Sequence, residues 1–364
     1  MKILQFISSP AAGGAEVYVK DLVKQFVSYG HEVFVGFLSH AADVGRSESY
    51  EIDFLRQLDE YGVEYFFIGS KARRNFLFGA IRLRSFVKSN NIELYHTHLK
   101  YGVVFGAFLN IPVIYTHHNI TLGVGSWWRY ISNSIVNSYI GISGICGKRL
   151  ADYMKRNVDV VVNGVDKTRI APSAKLREYP KDVLNIISVG SISPQKNYKL
   201  LVDSIALLPE KIRDHCVVKI VGEGPEAEML ALEKYIKLHR LEGIFYLLGN
   251  RGDVPLLLAD SHLFLMSSEW EGLPISLIEA AMSGLPCVVT DVGGCSEVVG
   301  QCGNGKVVAS GDAVGLAAAI DEIVSDPVLY NNFTTNALEN ADFFSIQEAA
   351  QKHINIYNAC LSVD

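Results

Sequence analysis

Apolar stretches of strand length alternate with helical patterning along this chain, and the alternation breaks once and then restarts. Strands are predicted near 2–7, 32–38, 63–68, 92–96, 112–116 and 138–143, and again over Val158–Val162. Helical patterns lie between most of them, including Ala15–Tyr29, Phe76–Lys88 and Gly144–Lys155. Asn163-Gly164-Val165-Asp166 is a turn signal. Beyond it, strands near 184–190, 216–221, 244–248, 262–266 and 285–290 alternate with helices near 197–208, 225–239, 274–283 and 311–325. Short strands alternating with helices build parallel sheets covered on both faces. The expected fold is α/β, with two Rossmann-like, doubly wound domains at residues 1–166 and 167–344. They are expected to face a central cleft at the carboxyl ends of their strands, where ligands bind in such sheets. Ser345–Leu361 reads as a last amphipathic helix.

A length of 364 residues suits two domains, and 49% hydrophobic residues suffice for two cores. The net charge of -6 argues against nucleic acid as a partner. No apolar run is long enough to span a bilayer, and Met1 opens into KILQFI without a signal-peptide pattern. The six cysteines (146, 216, 287, 295, 302, 360) form no Cys-x-x-Cys. They read as reduced, mostly buried thiols of a cytoplasmic protein, with Cys295 and Cys302 two unrelated small residues.

The stretch Ser267–Val299 carries the most chemistry. It sets Glu271 and Glu279 on either side of a Gly272-Leu273-Pro274 turn, with Pro274 suited to the first turn of the helix that follows. Glu271 then precedes a helix N-terminus, whose N–H groups from about 272 to 276 are a ready phosphate site. Glu279 lies more than a turn inside. A sugar joined to a nucleotide through a diphosphate satisfies the anion site and both carboxylates. This run, with its Ser-x-x-Glu-Gly, its Pro-x-Val strand and Asp291-Val-Gly-Gly, resembles the Glu-x7-Glu motif of the family 4 retaining glycosyltransferases, which have the GT-B fold. The resemblance extends over nearly the whole chain and is strong in the second half. It implies that Glu271 orients the transferred sugar and Glu279 binds the ribose hydroxyls. It also implies that the 345–361 helix returns to the first domain.

Gly190-Ser191-Ile192-Ser193-Pro194-Gln195-Lys196 follows a strand and opens a helix. Gly190 lets a ligand approach the backbone, and Lys196 supplies a cation for a diphosphate. The family usually carries Arg at position 191 as well. Ser191 departs from it, and Arg251 is one candidate to compensate. Gly222-Glu223-Gly224-Pro225-Glu226-Ala227 matches a dinucleotide fingerprint, but the next strand ends in Gly249-Asn250-Arg251 and not in the acid that holds a ribose. A nicotinamide reading is set aside. The resemblance places Gly222 and Gly224 on the nucleotide side and Asn250 and Arg251 near the base.

In the first half, Ala12-Gly13-Gly14-Ala15-Glu16 resembles the family's Gly-Gly-Ala-Glu loop, so Gly14 is expected near the donor phosphates. His96-Thr97-His98 and Thr116-His117-His118-Asn119 close two strands. His118 matches a family histidine near the transferred sugar, and His117 is the alternative under a one-residue slip. A neutral ring would hydrogen-bond a sugar hydroxyl; an imidazolium would add charge stabilisation. There is no Asp-x-Asp, and no carboxylate lies near the paired histidines in sequence, so no metal and no cofactor is expected. Residues 71–88 hold six cations (71, 73, 74, 82, 84, 88) and no acid, interleaved with Phe76, Leu77, Phe78, Ile81, Leu83, Phe86 and Val87. Such a stretch can lie on anionic lipid or simply cover a sheet. Trp127-Trp128-Arg129-Tyr130 borders an acceptor site or packs on the sheet.

The chain is therefore expected to be a retaining hexosyltransferase-like enzyme. Catalytic Glu271, His118 and Lys196 would move a sugar from a UDP-sugar, with a GDP-sugar as the other donor, to a saccharide or lipid-linked hydroxyl. The setting is cell-surface polysaccharide or glycolipid synthesis, in the cytoplasm or peripherally at the inner membrane face. Two rivals stand beside it: a nucleotide-sugar epimerase of the same fold, and a non-catalytic nucleotide-sugar-binding subunit of a transferase complex.

Overall fold

Residues 1–11, 13–122, 125–170 and 178–362 are described by a computed structural model of the chain. The strands form two parallel sheets. The first contains β1 (Lys2–Ile7), β2 (Glu32–Phe37), β3 (Glu64–Phe67), β4 (Leu94–Thr97), β5 (Val113–His117), β6 (Ser138–Gly141) and β7 (Asp159–Val160). The second contains β8 (Leu184–Val189), β9 (Cys216–Val221), β10 (Phe245–Leu247), β11 (Leu263–Met266), β12 (Cys287–Thr290) and β13 (Gly305–Val308). Their spatial orders are β3-β2-β1-β4-β5-β6-β7 and β10-β9-β8-β11-β12-β13. Met1–Gly164 with Ile346–Asp364 makes one compact unit, and Val165–Ser345 the other.

The central strands are almost wholly apolar because helices cover both faces. Ile3, Leu4 and Phe6 on β1, and Leu263, Phe264 and Leu265 on β11, are buried completely. In each sheet the strand order reverses direction once, between β1 and β4 and between β8 and β11. Such a switch point leaves a crevice at the strand carboxyl ends. Most of the candidate residues follow these ends: Ser191 and Lys196 come after β8, Glu271 after β11, His98 after β4, and His117 and His118 at and after β5.

The predicted Val158–Val162 strand keeps only Asp159–Val160, an exposed sheet edge. Helices Glu48–Glu60, Lys100–Gly106, Ser126–Asn133, Val254–Ala259, Cys295–Cys302 and Pro327–Asn340, and strand β13, carry no bounds in the predicted pattern. Several are short, so their periodicity is weak. Pro327–Asn340 did carry a local signal. Asp326 accepts hydrogen bonds from the N–H groups of Val328 and Leu329, with Pro327 opening the helix. Helix Ile346–Leu361 belongs to the first unit. Its buried stripe of Ile346, Ala349, Ala350, His353, Ile354 and Tyr357 packs against helix Gly14–Ser28, with the Phe26 and Tyr357 rings 5.7 Å apart.

Candidate functional site

In the second unit the loops after β8 and β11 meet side by side. The Glu269 N–H donates to the Gln195 carbonyl (2.8 Å), and Ser267 Oγ donates to the Lys196 carbonyl (2.9 Å). These bonds bring Lys196 Nζ to 2.6 Å from Glu271 Oε1. The pair is largely sealed from water, with side-chain exposures of 14% and 7%. Glu271 also accepts from Ser268 Oγ (2.7 Å) and from Gln195 Nε2 (3.3 Å), so its carboxylate is held from three sides. An ammonium has three donors, of which this bond engages one. The arrangement can present a cation to an anionic ligand next to a fixed carboxylate.

The glycines have an unforeseen role. A Cβ on Gly190 would lie 2.6 Å from Lys196 Cε, so Gly190 lets the lysine stem cross the backbone. A Cβ on Gly222, at φ +144, would lie 2.1 Å from the Gly190 carbonyl oxygen, and one on Gly224 would lie 2.0 Å from that of Ile192. The fingerprint-like glycines thus allow the two loops to touch backbone to backbone. Ser191 Oγ is 3.4 Å from Ser193 Oγ. Asn250 is exposed, and its N–H donates to Glu223 (3.3 Å). Arg251 is also exposed and forks onto Asp253 at 2.8 and 2.6 Å. The guanidinium proposed to replace the missing arginine is therefore engaged by its own neighbour.

Pro274 stands one place earlier than predicted, as the N-cap of helix Ile275–Met282 and not in its first turn. Its carbonyl is the first acceptor, taking the N–H groups of Leu277 and Ile278 at 3.2 and 3.4 Å. The turn is fixed from behind by Asp291-Val-Gly-Gly. Gly294 N–H donates to the Gly272 carbonyl (2.8 Å), and a Cβ on Gly293 would lie 2.1 Å from the Glu271 carbonyl oxygen. Leu273 is buried beneath the turn. Glu279 is buried and paired with Arg169, the last residue of an Asp166-capped turn. Sequence reasoning missed Arg169, since it lies 110 residues from its partner in a segment with no motif.

In the first unit, Gly14 is exposed at the start of helix Gly14–Ser28, and Ala12 of the same loop lies outside the described residues. Glu16 folds back on the helix start: a Cβ on Gly13 would lie 2.1 Å from its Oε2. Burial raises the Glu16 carboxyl above its ordinary range, partly offset by its own backbone hydrogen bond and by Arg46.

Four buried histidines and the half-buried His118 form a cluster. His118 Nε2 is 2.7 Å from His98 Nδ1, and His98 Nε2 is 2.9 Å from Gln5 Oε1. Tyr357 Oη lies 3.0 Å from Gln5 Nε2 and 2.6 Å from His96 Nδ1, and His96 Nε2 is 2.7 Å from Thr116 Oγ1. Tyr18 and His353 pair at 3.0 Å. His117, the alternative candidate, sits 3.0 Å from the Tyr115 hydroxyl. Burial pulls all five rings below the ordinary imidazole range, His118 and His353 to about 3 and His117 to about 4. An imidazolium at His118 is thus disfavoured, and the neutral ring is the form available to a ligand. Gln5, His98 and Tyr357 were not read as site residues, although a lone glutamine inside the apolar run KILQFI was a signal for a buried polar contact.

Helix Phe76–Ser89 buries Gly79, Ala80, Leu83 and Val87 against the sheet and leaves Phe76, Leu77 and Ile81 exposed. Trp128 is buried, whereas Trp127 and Tyr130 are exposed. All six cysteines are free and five of them are buried. Among the described residues, no three His, Cys, Asp or Glu side chains cluster to hold a metal ion, and no helix is long and apolar enough to cross a membrane.

Residues 173–340 match the glycosyl transferases group 1 family, and residues 12–169 match Glycosyltransferase Family 4. The chain is 26% identical over 276 residues to an Escherichia coli UDP-Gal:alpha-D-GlcNAc-diphosphoundecaprenol alpha-1,3-galactosyltransferase, covering 68% of this chain and 70% of that one. It is 23% identical to the N-acetyl-alpha-D-glucosaminyl L-malate synthase of Bacillus anthracis, covering 98% and 96%. Its fold matches that of Anabaena HepE, solved in complex with UDP, with a TM-score of 0.81 at 22% identity over 99% of this chain and 100% of that one. A Rickettsia africae glycosyltransferase matches with a TM-score of 0.84 at 19% identity, covering 100% and 99%. With both halves matched, and with two Rossmann-like domains of the GT-B type, the chain belongs to the family 4 glycosyltransferases.

Proposed function

We propose that the protein transfers a hexosyl group from a UDP-sugar to a hydroxyl acceptor, with retention at the anomeric carbon and without a metal or other cofactor. The observation that carries this reading is the sealed Lys196–Glu271 pair at the β8/β11 switch point. Lys196 takes the diphosphate as it departs, Glu271 orients the sugar, and Glu279 receives ribose hydroxyls. His118 accepts a hydrogen bond from a substrate hydroxyl. Positioning and fixed charge then supply the rate, since departure of a diphosphate asks for little covalent help from the protein. UDP is favoured over GDP because Anabaena HepE is solved with UDP and with UDP-glucose. In titration calorimetry with chelator present, Lys196→Ala is expected to bind UDP about 1.5–3 kcal/mol more weakly than wild type, the usual worth of a charged hydrogen bond. Equal UDP affinity in a folded variant removes Lys196 from the site. GDP binding more tightly than UDP reassigns the donor.

We also propose that the acceptor is a saccharide or lipid-linked saccharide used in cell-surface polysaccharide or glycolipid synthesis. The protein then works in the cytoplasm, docked peripherally on the inner membrane face. The Escherichia coli relative, named for a diphosphoundecaprenol-linked acceptor, supports this reading. So does the outer stripe of helix Phe76–Ser89, where exposed Leu77 and Ile81 continue into exposed Arg84 and Lys88 at helical spacing. Arg82 and Arg84 donate to the carbonyls of Ile68 and Phe108, so a clean test leaves them in place. Lys71, Arg74 and Lys88 changed together to Gln are expected to abolish flotation with anionic vesicles at low salt. Wild type is expected to float at low salt and be released at high salt. Equal flotation of both proteins contradicts docking through this stretch.

A further inference from the structure

We propose that Gln5, His98 and Tyr357 are positioning residues that fix the tautomer of His118, leaving its Nδ1 as a hydrogen-bond acceptor. The inference deepens the proposed function, on which the identity of the bound hydroxyl rests. The tautomer itself is a property of the free protein.

Donors and acceptors alternate along this chain of side chains. Gln5 lies on β1, His98 follows β4 and His118 follows β5, three strands adjacent in the sheet. Tyr357 reaches them from helix Ile346–Leu361. Gln5 turns its amide nitrogen to Tyr357 Oη and its amide oxygen to His98 Nε2. An amide oxygen only accepts, so His98 Nε2 carries the hydrogen. A neutral ring has one, which leaves a lone pair on His98 Nδ1. The 2.7 Å contact from there to His118 Nε2 needs a hydrogen on the His118 side. His118 Nδ1 is then a bare lone pair, and it is buried without a hydrogen-bond partner. The other branch agrees. With Tyr357 Oη accepting from Gln5, its own hydrogen goes to His96 Nδ1, and His96 Nε2–H goes to Thr116 Oγ1. Burial holds every ring in the path neutral, which preserves this alternation.

Turning the Gln5 amide over reverses each donor and places the hydrogen on His118 Nδ1. The reversed network would strand a buried N–H on His118 Nδ1 with no acceptor, which disfavours it; Tyr357 supports the observed direction as the acceptor that the Gln5 amide N–H needs. Any hydroxyl that meets His118 Nδ1 therefore donates to the ring. Without Tyr357 both amide directions become accessible, and the ring interconverts between an acceptor and a donor.

The test is long-range 1H–15N correlation of histidine-labelled full-length protein at pH 7 without substrate, with His118 assigned from the spectrum of His118→Asn. The expected wild-type spectrum has a protonated Nε2 and an unprotonated, pyridine-type Nδ1 on His118. In Tyr357→Phe the two nitrogens are expected to move toward a mixture. A hydrogen on Nδ1 in wild type, or an unchanged His118 signature in a folded Tyr357→Phe, overturns the proposal. Gln5→Leu provides a second cut in the same relay, expected to perturb His118 in the same way. If the transferase reading holds, kcat/KM of Tyr357→Phe falls with the competent tautomer population, about twofold for an equal mixture. A wild-type spectrum as expected, in a protein that turns over no nucleotide sugar, sinks the functional reading and leaves the relay standing.

Discussion

Acidification from pH 7 to pH 5 is expected to remove most of the stability of the first unit. His96, His98, His117 and His353 are buried there and His118 is half-buried, and each ring is held below its ordinary pKa by desolvation first and in most cases by neighbouring rings or cations second. In the unfolded chain the same side chains titrate near 6.5. Below that value the unfolded state binds protons that the folded state refuses, so stability is full above about pH 7 and falls as the pH falls. The loss continues toward pH 4 and 3, where His117 and then His118 and His353 begin to take up protons in the folded state. At pH 5 each neutral, buried ring costs about 2 kcal/mol relative to the unfolded chain. The four buried rings amount to roughly 8 kcal/mol at the additive limit, comparable with the whole stability of an ordinary domain. Urea titrations at pH 7, 6 and 5 measure it. Trp127 and Trp128 lie in the first unit and Trp270 in the second, so Trp270→Phe restricts the fluorescence signal to the first unit. A urea midpoint unchanged between pH 7 and pH 5 contradicts the account of a neutral buried cluster.

Glu271→Gln and Glu279→Gln are expected to damage the enzyme in different ways. Glu271 is fixed by Ser268, Gln195 and Lys196. Glutamine keeps the shape but loses the charge that balances the ammonium. The rigid carboxylate is proposed to act on the sugar as charge develops, so its loss is expected to lower kcat by about 10²–10³, the scale for removing one preorganised electrostatic group. Glu279 sits one full helix turn and more from the loop, paired with Arg169. Ribose contacts bind ground state and transition state alike, so Glu279→Gln is expected to raise the donor KM about tenfold and leave kcat nearly unchanged. Equal effects on both parameters in both variants contradict the division of labour.

Much of this was legible from local pattern, because strand and helix alternation is written in runs of six to fifteen residues. The relation between the pieces was not. Lys196 and Glu271 could each be selected from a strand-end motif, yet their direct pairing depends on β8 and β11 being neighbours across the switch point. Gly222 and Gly224 looked like ligand-facing glycines. Their absent side chains are explained by carbonyls of a loop more than thirty positions earlier in sequence. The histidines illustrate the same limit. Each pair straddles a strand end, but only parallel pairing of β1, β4 and β5, with a helix from the far end of the chain laid over them, turns separate histidines into one network. Arg169 and Tyr357 carry no motif at all and become visible only through their partners.

UDP release decides whether the Lys196–Glu271 site transfers a sugar. Purified full-length protein is incubated in chelator with UDP- and GDP-sugars, each with and without saccharide and lipid-linked acceptors, and the nucleotide released is followed alongside product mass. UDP release from at least one UDP-sugar is expected, accelerated by an acceptor that gains one hexose, and lost in Glu271→Gln while that variant still binds UDP. Folded wild-type protein that releases no nucleotide from any donor, or activity that survives unchanged in Glu271→Gln, contradicts sugar transfer at this site.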